Sequence, residues 1–171
     1  LRSILKHAEN FDSHIVHVGV LVAPDLLGAP SIFPLVATHG EVVKTVLRLK
    51  RLGHEWGSMI GGRTTHPTTV VPGGFSKLIT TDELKILKDK ILARVGDLTA
   101  LVETIVSLAC DIPVFDRPTE YVALHSDEEY GLYDGCIQTV MPDGIKEQFD
   151  VRDYKKVTNE WVSPNSTAKY T

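Results

Sequence analysis

The sequence of 171 residues predicts an α+β fold that is mainly α: long antiparallel helices with a small peripheral β-sheet in the C-terminal half. Two long segments repeat apolar residues at three- and four-residue intervals, which is typical of amphipathic helices. After Pro113 the period changes to short runs rich in β-branched and aromatic residues, separated by turn signals. We therefore expect a helical part over residues 1–112 and a small β part with a short terminal helix over residues 113–171.

The composition is that of an ordinary globular chain, with 43% hydrophobic and 23% charged residues. The 18 Lys and Arg residues against 22 Asp and Glu residues give a net charge of −4, so nucleic acid is not an expected partner. Glycines, prolines and polar residues interrupt the longest apolar stretch, residues 15–36, and no membrane-spanning helix is predicted. Cys110 and Cys136 are too few for a disulfide framework, and we expect reduced thiols and a cytoplasmic protein.

The first helix is predicted from Leu1 to about Ala23, because apolar residues recur there at helical spacing. Beyond Ser13 almost every side of this helix is apolar, which favours a helix that enters the protein interior. Pro24 and Asp25 are predicted to end it. A loop punctuated by glycine and proline is expected to follow.

The second helix is predicted to run for about 19 residues from Glu41. Its apolar face consists of Val42, Val46, Leu49, Leu52, Trp56 and Met59. Gly53 and Gly57 lie one turn apart on this helix, and their missing side chains predict close packing against a neighbouring backbone.

The third helix is predicted to begin at a capping box formed by Thr80 and Glu83. Apolar residues then continue at three- and four-residue steps as far as Leu108, which predicts one helix of about 28 residues. We expect this helix to pack antiparallel to the second.

The C-terminal part is predicted to contain short strands over residues 121–124 and 136–140. The Pro-Asp-Gly sequence at residues 142–144 predicts a turn that returns the chain through residues 145–149. A short helix from about Val151 to Trp161 is predicted, with Asp150 as its N-cap.

A first candidate site is the segment between the second and third helices, in which two diglycines bracket an Arg and a His-Pro. This diglycine loop, residues 61–74, contains Arg63 and His66 as its only side chains that can carry positive charge. The segment contains neither G-x-x-x-x-G-K-[ST] nor G-x-G-x-x-G, so it is not a nucleotide loop. A purely structural loop and a buried functional loop both remain open.

A second candidate is Ser13-His14-x-x-His17, because the three-residue spacing puts both imidazoles on one face of the first helix. Two histidines could bind a metal, but zinc needs three or four ligands and no acidic residue lies one turn further. The alternative is a pair of buried histidines that are hydrogen-bonded to the backbone or to each other.

Four groups of motifs follow one another along the chain: Ser13-His14-x-x-His17 with Pro24-Asp25, Gly61-Gly62-Arg63-x-x-His66-Pro67 with Pro72-Gly73-Gly74, Tyr133-Asp134-Gly135, and Ser166-Thr167-Ala168-Lys169. Together they resemble the middle of the large subunit of nickel-iron hydrogenases. The resemblance is closest to the cytoplasmic multimeric group that couples hydrogen to soluble electron carriers, and it covers essentially all 171 residues.

The resemblance implies a nickel-iron centre with cyanide and carbonyl ligands in the full protein, and heterolytic cleavage of H₂. It also implies, as partners, further electron-carrier subunits and an iron-sulfur small subunit. The implied surroundings of the active site are Ser13, His14, His17, Gly61, Gly62, Arg63, His66, Pro67, Gly73 and Gly74. No catalytic residue and no metal ligand is implied within this chain.

The departures from the family concern its metal ligands, which are four cysteines in two Cys-x-x-Cys pairs, and neither pair is present here. We therefore expect a central fragment of a larger subunit that is inert in isolation and self-associates through surface left uncovered. Two alternatives are a non-catalytic scaffold related to the quinone-site subunit of complex I, and an interaction module from a decayed hydrogenase gene.

Overall fold

The computed structural model describes residues 1–109, 112, 114–158 and 164–165. The chain forms two compact units, Leu1–Pro113 and Val114–Thr171. Most of the described residues are helical and the strands are short, so the predicted α+β fold, mainly α, is confirmed. Both sheets are antiparallel.

The first unit contains the helices and one small hairpin. Its elements are α1 (Arg2–Val16), a π-helical turn (His17–Val22), α2 (Ala23–Leu26), α3 (Ile32–Thr38), α4 (Gly40–Gly61), β1 (Val70–Val71), β2 (Gly74–Phe75), α5 (Thr81–Leu92) and α6 (Val95–Leu108). The second unit contains β3 (Tyr121–His125), β4 (Cys136–Val140), β5 (Lys146–Phe149) and a 3₁₀ helix (Val151–Lys156).

Helix α4 lies at the centre of the first unit. Val46 and Leu49 on α4 are both fully buried, and they pack with Ile15 of α1 and Leu101 of α6 in one apolar cluster. This burial removes apolar surface from water and is the main stabilising contribution to the unit. Residues Val46, Leu49 and Leu52 of the predicted apolar face are buried, whereas Val42, Trp56 and Met59 are half-buried.

Helices α1 and α4 are antiparallel, because successive contacts run in opposite directions along them. Leu5 of α1 lies beside Gly61, and Gly19, just beyond α1, lies against Val46. Helix α4 is also antiparallel to α5 and α6: Arg48 bonds Asp97, whereas Glu55, further along α4, bonds Lys90. The predicted antiparallel packing of the second and third helical segments is confirmed.

The predicted end of the first helix at Pro24 is wrong, because the helical path continues to Leu26. Pro24 is the second residue of α2, and the wider π-helical turn that directly precedes it separates it from α1. The expected all-round burial of this segment is also wrong, since the side chain of Leu21 is 58% exposed and His17 is exposed.

Helix α3 was missed, because the sequence predicted only a loop between residues 24 and 40. Ser31 is extended and precedes the helix, and Pro34 occupies its third position. The first turn of a helix has no intrahelical acceptor for its N–H groups, so a proline is tolerated there.

The prediction of a single helix of about 28 residues is wrong: the segment forms α5 and α6, which are separated at Ala93 and Arg94. Arg94 has φ −113° and ψ 2°, outside the helical region. The capping box at the start of α5 is confirmed. The Thr80 hydroxyl accepts a hydrogen bond from the Glu83 N–H at 3.2 Å, and the Glu83 carboxylate accepts one from the Thr80 N–H at 2.8 Å.

The second unit contains the antiparallel meander that the sequence predicted, with strand order β3-β4-β5. Tyr121 pairs with Val140 at one end of β3, and the Gly144 N–H closes the turn on the Met141 carbonyl at 2.9 Å. The predicted short helix is a 3₁₀ helix over Val151–Lys156, with Asp150 as its N-cap. Residues 159–161 of that prediction lie outside the described residues.

Candidate functional site

The diglycine loop begins where α4 ends. Gly61 is the last residue of the helix, and Gly62 adopts the left-handed conformation at φ +81° that commonly terminates helices. The Gly62 N–H donates to the Ser58 carbonyl at 2.9 Å. Gly62 is therefore required by backbone geometry, since residues with a Cβ rarely adopt this conformation.

The base of the loop folds back onto the C-terminus of α4. The N–H groups of Thr68 and Thr69 donate to the Gly61 carbonyl at 2.8 and 3.2 Å. The Thr69 hydroxyl, which is buried, donates to the Ile60 carbonyl at 2.7 Å. The loop thus supplies donors for the last carbonyls of the helix, which have no intrahelical partner.

The second diglycine forms a small hairpin that the sequence did not predict. Val70–Val71 pairs antiparallel with Gly74–Phe75, and Pro72 and Gly73 form the turn between them. Gly73 has φ +82°, which fits the Pro-Gly order of a type II turn. The Ser76 N–H donates to the Thr69 carbonyl at 2.8 Å and ties the hairpin to the base of the loop.

The polar tip of the loop faces outward. Arg63, His66 and Pro67 are exposed, and His66 has a positive φ of 55°. Beneath the tip, a methyl group at Gly61 would lie 3.1 Å from the Cβ of Pro67 and 3.3 Å from the Cδ1 of Leu5. The loop therefore has a closely packed base and an exposed tip that carries its two potentially cationic side chains.

The Ser13-His14-x-x-His17 segment lies at the end of α1 and the start of the π-helical turn. All three side chains are exposed, and the His14 Nδ1 lies 2.8 Å from the Asn10 carbonyl, to which its N–H donates. His14 borders a groove of about 340 Å³ on α1, together with Phe11 and Trp56, whose ring centroids are 6.0 Å apart. The histidines are thus not buried, although one of them bonds the backbone.

The structure does not bring the two predicted segments together. Leu5, which contacts Gly61 at the loop, precedes His14 by nine residues on α1. At 1.5 Å per residue this places His14 about 14 Å further along the helix. The diglycine loop and the histidine pair therefore occupy separate positions on the α1–α4 pair.

Sequence reasoning missed a polar cluster between α1 and α4. The Asp12 Oδ1 lies 3.4 Å from the Lys50 Nζ and 3.6 Å from the His54 Nε2. Gly53 lies between these two residues in sequence and packs directly against Asp12. The only signal in the sequence was the glycine pair, which predicted close packing but not the partner.

The remaining residues of interest are distributed over both units. Cys136 is a free, half-buried thiol on β4, in register with His125 on β3. Gly135 has φ +146°. Cys110 and the segment 166–169 lie outside the described residues.

Among residues 1–109, 112, 114–158 and 164–165, no three His, Cys, Asp or Glu side chains are grouped closely enough to hold a metal ion. A nickel-iron centre of the kind implied above is held by four thiolates, and soft sulfur ligands suit such metals. The two cysteines of this chain, 26 positions apart in the sequence, do not provide that donor set.

None of the helices in the part of the chain that the structure describes is long and apolar enough to cross a membrane.

The comparisons with known proteins agree over nearly the whole chain. One subunit of the F420-non-reducing hydrogenase vhc of Methanococcus voltae is 27% identical, over 99% of this chain and 39% of the relative. The alpha chain of sulfhydrogenase 1 of Pyrococcus furiosus is 29% identical, also over 99% of this chain and 39% of the relative. No family model matches the sequence.

A solved structure gives the same result. A chain from the crystal structure of an NAD+-reducing [NiFe]-hydrogenase in the H2-reduced state matches with a TM-score of 0.85 and 25% identity, over 98% of this chain and 41% of that chain. These similarities define the class of protein: the chain is a homologue of nickel-iron hydrogenase subunits. Among those subunits the relatives are large subunits, which confirms the resemblance found in the sequence. The chain spans about two fifths of their length.

Proposed function

We propose that this chain is the central part of the large subunit of a nickel-iron hydrogenase, which oxidises H₂ reversibly and delivers electrons to a soluble carrier. The observation that carries the proposal is the match over 98% of the chain to a [NiFe]-hydrogenase chain at a TM-score of 0.85. Matches of 25 to 29% identity to hydrogenase subunits over 99% of the chain support it.

The nickel-iron centre, with its cyanide and carbonyl ligands, belongs in this proposal to the full-length protein, not to this chain. The chain has two cysteines and no Cys-x-x-Cys pair, so its donors do not fit that centre. We propose that the thiolate ligands lie on other parts of the parent protein. No step of hydrogen cleavage is therefore assigned to residues of this chain.

The proposed role of this chain is to position protein around the centre. In this proposal the surroundings of the centre include the diglycine loop and the Ser13-His14-x-x-His17 segment. The buried Thr69 hydroxyl bond and the left-handed Gly62 fix the base of the loop on α4. The exposed tip then presents the Arg63 guanidinium and the His66 imidazole to the part of the parent protein that packs against the loop.

The proposed partners are further electron-carrier subunits and the iron-sulfur small subunit, and the proposed location is the cytoplasm. A relative from Archaeoglobus profundus, named as an iron-sulfur subunit of an F420-non-reducing hydrogenase, is 30% identical over 60% of this chain and 23% of its own length. This relative supports a complex that contains iron-sulfur components. Fractionation of cells that express the parent protein tests the location.

The test compares the parent gene, extended on both sides, with the chain of 171 residues. Both proteins are purified without a histidine tag and analysed for nickel, iron and H₂ uptake. We expect stoichiometric nickel and H₂ uptake in the assembled parent complex, and neither in the isolated chain, because the thiolates are absent from it. Stoichiometric nickel in the isolated chain would contradict the proposal. A parent protein without nickel would instead favour the non-catalytic scaffold related to complex I or the interaction module from a decayed hydrogenase gene.

A further inference from the structure

A cleft with excess positive charge lies where α4 meets the junction of α5 and α6, on a part of the first unit that the proposed function does not use. Its volume is about 340 Å³. The residues that line it are Arg48, Arg51, Leu52, Glu55, Lys90, Ala93 and Arg94. Asp97 lies beside it and bonds two of these side chains. We call this site the basic cleft.

The first charged group in the basic cleft centres on Asp97. Arg48 binds both of its carboxylate oxygens, at 3.1 and 3.0 Å, and Arg94 binds one of them at 3.2 Å. Two guanidinium groups thus share one carboxylate, which leaves an excess of one positive charge. Both guanidinium groups lower the pKa of Asp97, mainly through the hydrogen bonds from Arg48.

The second charged group centres on Glu55. Lys90 binds its Oε2 at 2.7 Å, and Arg51 binds its Oε1 at 3.0 Å. This group also carries an excess of one positive charge, although the whole chain has a net charge of −4. The side chains of Arg51 and Lys90 are 82% and 44% exposed, so both remain accessible to a further anion.

The spacing of the two groups defines what would fit. Arg48 and Glu55 are seven residues apart on α4, which corresponds to about 10 Å along the helix axis. The cleft is open and its polar lining is charged, without aromatic side chains that would stack on a nucleobase. A polypeptide with carboxylates about 10 Å apart would place one carboxylate beside each group.

We propose that the basic cleft is a docking site for an acidic segment of another polypeptide, held by two carboxylates spaced to match the Asp97 and Glu55 groups. Each group contains two cations and one anion. An incoming carboxylate therefore brings the net charge of a group to zero. Ala93 and Arg94, between α5 and α6, form one side of the cleft, and both are exposed. This inference does not rest on the hydrogenase proposal, because it uses only charges and distances within the first unit.

The test titrates the isotopically labelled chain with a peptide of repeated Glu-Gly-Ser triplets, whose carboxylates lie about 10 Å apart when extended. Amide chemical shifts are followed at low salt, with a Gln-Gly-Ser peptide as the uncharged control. We expect shifts confined to the cleft, with the largest at Ala93 and Arg94, and loss of binding at about 0.5 M salt. Shifts that the Gln-Gly-Ser peptide also produces, or that lie elsewhere, would overturn the proposal.

Lys90→Glu changes the charge of the Glu55 group from +1 to −1 and should weaken peptide binding about tenfold or more. Lys88→Glu is the matched control, because Lys88 is an exposed cation on α5 that does not line the cleft. Equal weakening by Lys88→Glu would point to overall charge and overturn the site. Inorganic phosphate is added at the same concentration of negative charges as the peptide. If phosphate displaces the peptide, the cleft is a small-anion site, and the proposal is overturned.

A last measurement uses the parent protein without its partners. Lys90 is ion-paired with Glu55, so its acetylation, read by mass spectrometry, is compared between the parent protein and the isolated chain, and equal extents are expected if the basic cleft is open. Selective protection of Lys90 would show that the parent protein's own chain fills the cleft, and would overturn docking of another polypeptide. This result is independent of H₂ uptake, so it separates the cleft from the proposed function.

Discussion

Gly53 of α4 lies directly against Asp12 of α1, and a methyl group at Gly53 would lie 2.9 Å from the Asp12 Cβ and 3.1 Å from its Cα. This close approach lets the Asp12 carboxylate accept from Lys50 at 3.4 Å and lie 3.6 Å from His54. The missing side chain therefore sets the spacing between the two helices and places a charge between them. The backbone atom of Asp12 cannot move aside without a shift of α1.

Gly53→Ala is expected to destabilise the chain by about 1 to 3 kcal/mol, the usual cost of overpacking, despite the better helix propensity of alanine. Gly96→Ala is the matched control, because Gly96 is helical and nothing lies within 4 Å of an added methyl group. This control should be neutral or stabilising by up to about 1 kcal/mol. Urea unfolding of both variants measures the difference, and equal stabilities would contradict the close contact.

Thr69→Val should cost about 1 to 3 kcal/mol, since it removes the buried hydroxyl that donates to the Ile60 carbonyl at 2.7 Å. Thr68→Val is the control, because Thr68 is exposed and uses its backbone N–H, not its hydroxyl, to bind Gly61. That control should change stability by less than about 0.5 kcal/mol. A similar loss in both variants would mean that the hydroxyl bond does not hold the loop on α4.

Gly62→Ala and Gly73→Ala should both destabilise, because both residues have φ near +80°. Backbone strain alone predicts about 1 to 2 kcal/mol for Gly73→Ala, which has open space around it. Gly62→Ala should cost more, since its methyl group would lie 3.0 Å from both Thr68 and Thr69. Thermal unfolding of both variants shows which one loses more stability. A larger loss of stability for Gly73→Ala than for Gly62→Ala would contradict this explanation.

His66→Ala should change the stability of the chain by less than about 0.5 kcal/mol, because the imidazole is exposed. A loss of about 1 to 3 kcal/mol would require a buried polar partner, a condition that the structure does not meet. In the assembled parent complex, H₂ uptake by the His66→Ala and Arg63→Ala variants tests the proposed role of the loop tip. If both variants take up H₂ at the wild-type rate, the loop only connects α4 to the following segment and its tip has no role in H₂ uptake.

Asp97→Asn should lower the free energy of unfolding at neutral pH. It should also make that free energy depend less on pH in the acid range. The hydrogen bonds and charge of Arg48, followed by the charge of Arg94, lower the pKa of Asp97 below its ordinary value of 3.8. Its contribution is therefore complete above about pH 4 and is lost as the pH falls through the lowered pKa. The difference between the urea midpoints of wild type and variant should shrink as the pH falls below about 4, and a difference that stays constant in acid would contradict this assignment.

The isolated chain should self-associate. Phe33 and Val36 of α3 are 80% and 56% exposed, and we expect this apolar surface to contribute. Light scattering should detect oligomers of the wild type, and Phe33→Ser/Val36→Ser should reduce their fraction. A monodisperse wild-type monomer would contradict the prediction.

The sequence by itself determined the elements whose signals are local. The capping box of Thr80 and Glu83 involves groups three residues apart, so the pattern and the hydrogen bonds coincide. The meander of the second unit follows from alternating strands and the turn at Gly144, which likewise need only neighbouring residues. The motifs also carried the hydrogenase resemblance, because they depend on residue identity and spacing.

Only the tertiary structure decided where the long helical segments break and which side chains are buried. Arg94 leaves the helical conformation in contact with Asp97, which also binds Arg48 from α4, a partner 49 positions away in sequence. Apolar periodicity identifies the face that a helix buries, but it does not show which residues of another helix pack against that face. The exposure of His14 and the contact of Gly53 with Asp12 depend on such distant neighbours, and a single sequence does not specify them.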